Sequence, residues 1–204
     1  MRHGSIQRIA GSAVVGAGVA IVVAVSALVS TGCAGGYRVD THTTADGTTT
    51  YTVANNEINA EGGTKYDAFA EQDRHIEKRC FLDLRAYDKP GAKRTYGLIV
   101  TYVGSAALDI KPGRSLEIVI GLNSTTLSAG GGEVTKSKDP STKLVTESVA
   151  YPVSPELLIA MSEAEEIQVI VSGQEGKVKG FFNDKNFVNL RRFVGEYVEQ
   201  LTPR

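Results

Sequence analysis

From position 75 onward apolar and polar residues alternate with a period of two, the pattern of strands that bury one face. Residues 75–87 predict a first strand with Ile76, Cys80, Leu82, Leu84 and Ala86 on one side, interrupted by Lys78. Lys89-Pro90-Gly91 sets restricted and permissive backbone side by side and breaks it. Thr95 to Val103 is apolar on both faces, with Tyr96, Leu98, Val100 and Tyr102 opposed to Ile99 and Val103, which predicts a central strand. After the Lys111-Pro112-Gly113 turn, Leu116, Ile118, Ile120 and Leu122 form a period-two face, and Thr125 to Ser128 reads as a short returning strand. Gly130-Gly131-Gly132 opens a loop, and a strand pair around Lys138-Asp139-Pro140-Ser141 leads to Tyr151.

The period then changes. Ser154-Pro155-Glu156 starts a helix: serine caps free amides, proline loses nothing at the first helical position, and glutamate suits the positive end of the dipole. That helix is expected to reach Glu165. Two strands, Ile167 to Ser172 and Lys177 to Phe182, flank Gly173-Gln174-Glu175-Gly176. A second helix begins near Asn183-Asp184, with Phe187, Leu190, Val194, Tyr197 and Leu201 in one apolar stripe that should lie on a sheet, and Arg192 and Glu196 paired one turn apart on the other side.

Upstream, seven threonines between Thr41 and Thr52 surround Asp46-Gly47. Asp-Gly favours a type I′ turn and threonine suits extended backbone, so a hairpin pairing His42 with Tyr51 competes with a solvated tether. Asn55 to Asp73 reads as a connection with one helical turn near Tyr66 to Gln72. The expected fold is α+β: a mostly antiparallel sheet of about six to eight strands with two late helices. The predicted organisation is 1–32 signal or anchor, 33–73 hairpin or tether with its connection, and 74–204 domain.

The segment from Ile9 to Cys33 is uncharged and rich in Ala, Val, Gly and Ser, and follows Arg2 and Arg8. A basic start, an apolar core and small residues near a cleavage point form an export signal. Its length, close to the ~18–20 residues that span a bilayer, also fits an uncleaved anchor, with Ser12, Gly16, Ala20 and Ala24 as a pairing face. Ordinary cleavage after Ala34 would instead release a free protein. All three fates export residues 34–204.

Composition narrows the partners. Of 22 Lys and Arg and 23 Asp and Glu, loss of 1–32 removes only Arg2 and Arg8, leaving 20 basic residues and a formal charge of −3 on 172 residues. The charges are interspersed, and nothing favours nucleic acid, which calls for a concentrated basic face. Of two cysteines, Cys33 is taken by the lipid reading below, so Cys80 has no partner within the chain. Its place on an apolar strand face reads as a small core residue.

Candidate chemistry is sparse. Asp73, His75 and Glu77 point the same way on an extended strand and could form a weak metal site, although alternating charges there also read as a solvated face. A Cys80/His75 dyad fails, because five residues on one strand place them on opposite faces and over ~15 Å apart. No nucleophile elbow, zincin helix or Walker loop is present, so no catalytic residue, cofactor or metal ligand is assigned. A carboxylate pair such as Glu147 with Glu156 depends on a distance that sequence does not contain. Phe81, Asp83, Arg85 and Tyr87 share the odd face of the first strand and mix flat with charged groups, a candidate surface for a glycan or peptide unless the C-terminal helix covers Phe81.

Leu28-Val29-Ser30-Thr31-Gly32-Cys33 resembles a bacterial lipobox, with Ser30 where that pattern has an aliphatic residue and Val29 and Leu28 further out. The resemblance implies cleavage before Cys33 and a lipid on its thiol. Ala34 after the cysteine is similar to lipoproteins sent to the outer membrane in enteric-type bacteria. Thr146 to Leu158, Gln168 to Gly173 and Asn186 to Phe193 resemble the C-terminal part of β-rich domains in uncharacterised bacterial envelope lipoproteins, over roughly residues 75–200. That likeness implies fold and location and carries no activity. The expected role is a non-catalytic, lipid-anchored envelope protein that contacts a protein or glycan. An envelope-polymer hydrolase and an apolar-ligand carrier are the alternatives.

Overall fold

The computed structural model describes residues 36–61, 78–130 and 134–199. Among them are eleven strands in two antiparallel sheets, with two helices late in the chain. In chain order the strands are β1 (Val39–Thr43), β2 (Thr49–Val53), β3 (Asn59–Ala60), β4 (Arg79–Asp88), β5 (Thr95–Gly104), β6 (Arg114–Ile120), β7 (Asn123–Ser128), β8 (Thr135–Lys138), β9 (Val145–Val153), β10 (Ile167–Gly173) and β11 (Gly176–Phe181). Helix α1 (Pro155–Glu163) lies between β9 and β10, and α2 (Asp184–Phe193) runs on into a π-helical turn, Val194–Val198. One sheet has the order β1-β2-β4-β5-β9-β8, the other β3-β11-β10-β6-β7.

The register explains the core. Leu82 faces Val100, Leu84 faces Leu98, and across the next ladder Leu98 faces Tyr151 and Val100 faces Val149. The even positions of β4 and β5 and the odd positions of β9 thus make one continuous apolar surface. In the other sheet Leu116, Ile118 and Ile120 meet Val171, Val169 and Ile167. These two surfaces and the buried sides of both helices belong to a single hydrophobic cluster. A buried hydrogen bond of 2.9 Å between the Ser115 and Tyr151 hydroxyls ties β6 to β9 across it. β5 is central, as its two-sided apolar pattern predicts.

The chain crosses between sheets at a few fixed places. After β2, Leu82 N–H donates to the Asn56 carbonyl and Ile58 N–H to the Cys80 carbonyl, so 54–58 follows β4 before β3 joins the other sheet at β11. After β5, Ile110 bridges to Gly173. The backbones are so close there that a Cβ on Gly173 would lie 1.9 Å from the Leu108 carbonyl oxygen. Backbone cannot yield as a side-chain tip can. Gly173→Ala should therefore cost at least about 2 kcal/mol, toward the upper end for overpacking, as read by urea unfolding.

Several expectations need correction. The strand count exceeds six to eight because residues 39–60 contribute three strands, and they pair in two sheets where one was expected. The threonine-rich stretch is a hairpin and not a tether, yet His42 pairs with Thr50, and Tyr51 with Thr41. Asp46 holds the longer loop by accepting from the Thr48 amide at 3.1 Å and from the Thr44 and Thr48 hydroxyls, which draw its pKa down to about 2. That register sets Tyr51 and Val53 on the core side, where a one-residue slip would turn them out. β2 pairs with β4, so residues 39–60 are built into the same unit as the rest. Leu122 leaves its predicted strand face for the β6–β7 turn, fully exposed.

Both helices start where predicted, the first by the predicted chemistry and the second by a capping box. The Ser154 hydroxyl accepts from the Leu157 amide, and Asn183 and Asn186 cap each other reciprocally. α1 ends at Glu163, two residues early. Along α2 and the π turn the predicted stripe holds for Phe187, Leu190, Val194 and Tyr197, all packed on the core, and Phe193, Asn186 and Asn189 join it on the buried side. Asn189 reaches the Asn56 side chain at 2.6 Å, and Asn183 the Glu57 carbonyl at 3.0 Å, so the helix clamps the segment after β2. The π turn is stabilised from the sheet, since the Tyr197 carbonyl accepts from the Tyr96 hydroxyl and the Arg94 guanidinium, each at 2.9 Å.

Candidate functional site

Phe81, Asp83, Arg85 and Tyr87 do share one face of β4, the face turned away from the core. The C-terminal helix does not cover Phe81. It packs on the opposite, even-numbered side, where Tyr197 stacks at 4.9 Å on Tyr51, because that side carries the continuous apolar surface. The register places Thr101 beside Phe81, Ile99 beside Asp83 and Gly97 beside Arg85, with Thr52 next to Arg85 on the other flank. Tyr87 lies over Gly97, where an added Cβ would be 3.3 Å from the tyrosine ring. Ser148, Ala150 and Pro152 of β9 continue the surface, and the Ser148 and Thr101 hydroxyls are 3.2 Å apart.

The charged members differ in role. Asp83 is mostly buried and accepts from the Asn56 amide at 3.0 Å, and burial raises its carboxyl pKa against the opposing pull of that bond. It anchors the segment after β2. Arg85 Nε is buried with no hydrogen-bond partner among the described residues. At the other end the Arg79 guanidinium lies 5.0 Å from the Phe81 ring centre and pairs with Glu57 at 2.7 Å. The surface thus offers two ring faces, hydroxyls and an arginine with spare donor capacity, groups that suit a sugar or an extended peptide.

A second polar centre sits at the β8 end of the sheet. The alternation Val145, Glu147, Val149, Tyr151 puts Glu147 on the core side of β9, where it is fully buried. Its carboxylate accepts from the amides of Asp109 and Ile110, both at 3.1 Å, and from Lys136 Nζ at 3.0 Å. Asp109 takes a left-handed φ of +56°, which aspartate tolerates, and in that bend successive amides turn toward the carboxylate. Lys111 holds the Asp109 carboxyl below its usual range, and Glu147 holds the Lys136 ammonium above its own. Around them is an open hollow of about 350 Å³, also lined by Pro112 and Val134.

That centre pins a crossover, and Asp109 shares Lys136 with Glu147 in it, whereas Glu156 does not join it. Glu156 is exposed in the first turn of α1, beyond the far end of β9, and six residues of strand between 147 and 153 already span roughly 20 Å. This exceeds the ~5–9.5 Å of glycosidase pairs. Between helix and sheet, where an apolar ligand would sit, Leu158, Met161, Leu190 and Phe193 are themselves fully buried.

Cys80 is a core residue, and burial pushes its thiol up to about 12. In the full-length Cys33→Ala variant at pH 8, a disulfide reagent should react with Cys80 only after unfolding. The linkage has a definite sign: the folded pKa lies above the unfolded value of ~8.5, so the thiol's contribution is complete below pH ~8.5 and is lost as pH rises toward about 12. Unfolding titrations above and below this window measure the loss.

Asp73, His75, Glu77, Ile76, Cys33, Gly131, Gly132, Leu201, the turn near Tyr66 to Gln72 and the Ser12/Gly16/Ala20/Ala24 face lie outside the described residues. Among the described residues no three His, Cys, Asp or Glu side chains gather as a metal site, and no helix is long and apolar enough to cross a membrane. No family model, curated protein or solved structure matches the chain.

Proposed function

We propose that the chain is an exported bacterial envelope protein, held to a membrane by a lipid on Cys33, whose domain binds an envelope protein or glycan through the outer face of β4. Location is supported by Arg2, Arg8, the uncharged run and the lipobox-like Leu28 to Cys33. Binding is supported by one observation above the rest: Arg85 keeps a buried Nε donor without an acceptor on a face flanked by Phe81 and Tyr87. Buried donors are normally paired, and a ligand oxygen would pair this one.

A photo-crosslinking amino acid in place of the exposed Ala150, two strands away on the same face, tests the reading in intact cells. A discrete adduct that disappears with Arg85→Ala is expected. Absence of any adduct at 150, with the same chemistry working at a known contact elsewhere in the cell, argues against this face.

A further inference from the structure

Among the described residues, β1 and β8 form the exposed edges of the first sheet, and β7 forms one edge of the second. A free edge presents unpaired N–H and C=O groups to other strands, and proteins guard it with charge, proline or shortness. β1 carries Asp40 and His42, and β8 is four residues long with Lys136 and Lys138. β7, Asn-Ser-Thr-Thr-Leu-Ser, has neither charge nor proline, and all of it but Leu127 is exposed.

The β6–β7 hairpin fixes which of its groups are free. Gly121, at a left-handed φ of +58°, and Leu122 make a two-residue turn closed by Ile120 and Asn123. The residues that close such a turn bond to each other, and along an antiparallel ladder alternate residues turn both backbone groups to the same neighbour. Asn123, Thr125 and Leu127 therefore bond to β6, while Ser124 and Thr126 point N–H and C=O outward. No described residue bonds to those outward groups. Pairing with β6 is regular from Asn123 to Leu127 and breaks at the bulge between Arg114 and Leu116. Thr125 is the middle of the regular run.

The geometry points to a second copy of this chain as the occupant: β7 pairs antiparallel with β7 of the other copy about a two-fold axis at Thr125. Ser124 of each copy then faces Thr126 of the other, and each such pair exchanges both backbone bonds. Thr125 meets its counterpart in the position without backbone bonds, where side chains come closest. Leu122, the most exposed large apolar side chain among the described residues, comes level with Ser128 of the other copy, next to the partly buried Ala129. Charge permits the match. Glu117, one strand in, accepts from the Ser124 hydroxyl. It would lie three strand spacings, about 14 Å, from its counterpart, beyond the ~8 Å over which salt leaves exposed charges unscreened. β8 laid against itself would instead set lysine opposite lysine. The pairing joins two five-stranded sheets into one and consumes this edge in both copies, so association closes at the dimer. It engages the sheet that does not carry β4 and is independent of the lipid.

Disulfide trapping of the full-length chain with Cys33→Ala, whose remaining native thiol is the buried Cys80, tests the pairing. Thr125→Cys, at the axis, should give a disulfide-linked dimer under mild oxidation, since Cα atoms so placed lie about 4.5 Å apart, a distance a disulfide bridges. Ser128→Cys, on the same strand but ~20 Å from its counterpart, should crosslink at least tenfold more slowly, as should Thr41→Cys and Ser137→Cys on the other edges. Adding Thr126→Pro, which removes an outward N–H that β6 does not use, or Thr126→Lys, which sets like charges across the axis, should abolish the dimer while the urea midpoint holds. Equal crosslinking at all four positions, none at 125, a ladder of larger species, or a 125 dimer that survives both changes at 126 overturns the pairing.

Discussion

Replacing Glu147 by alanine should lower the unfolding free energy by about 2–6 kcal/mol, the cost of leaving two enclosed amide donors unpaired at roughly 1–3 kcal/mol each. The carboxylate is fully buried, and its loss strands the amides of Asp109 and Ile110 without an acceptor, each an expensive omission. It also releases Lys136, which is 46% exposed and regains water; Lys136→Met in turn leaves the fully buried carboxylate with its two amide donors and no counter-charge, so it should cost less than the alanine change but more than breaking an exposed pair. Glu147→Gln should fall between, since one oxygen still accepts while the new amide group faces another donor. Urea unfolding at unchanged m-value reads all three, and for a domain of this length each kcal/mol corresponds to roughly 2–4 °C in Tm. A loss under about 1 kcal/mol for the alanine variant would mean that other contacts hold the crossover.

Cys33→Ala should have an all-or-none effect. In cells fed labelled palmitate the parent chain takes up label and partitions into detergent, whereas the variant takes up none and accumulates with residues 1–32 attached, because the peptidase that recognises a lipobox cuts only before an acylated cysteine. An uncleaved anchor predicts the same chain with or without the cysteine, and ordinary cleavage after Ala34 predicts an unlabelled, released chain in both. The three outcomes are distinct on one gel.

The strands most legible in the sequence are those whose alternation is strict. Leu82, Leu84 and Ala86, and Leu116, Ile118 and Ile120, gave their faces directly, because a half-buried strand forces that period. The helix starts at Ser154 and Asn183 were equally readable, since capping is local chemistry. The division into two sheets was not, because strand order depends on which residues meet across the core, as Ser115 and Tyr151 do. β3, only Asn59–Ala60, is too short for any period to show. The hairpin register depended on side-chain bonds of Asp46 that lengthen the loop, where Asp-Gly alone suggested two residues.

The candidate sites divide the same way. Phe81, Asp83, Arg85 and Tyr87 were placed on one face by period alone, but the spare donor on Arg85 and the structural duty of Asp83 follow from distances. Glu147 carried a signal that could have found it, an acid between Val145 and Val149 on an otherwise apolar alternation.

The claim that most of this depends on is the lipid on Cys33, and intact and peptide mass spectrometry of the protein extracted from its native membrane fraction measures it directly. The expected result is a chain beginning at Cys33, with a diacyl or triacyl modification on that residue and residues 1–32 missing. A chain that still begins near Met1, or one that begins after Ala34 without lipid, would contradict it.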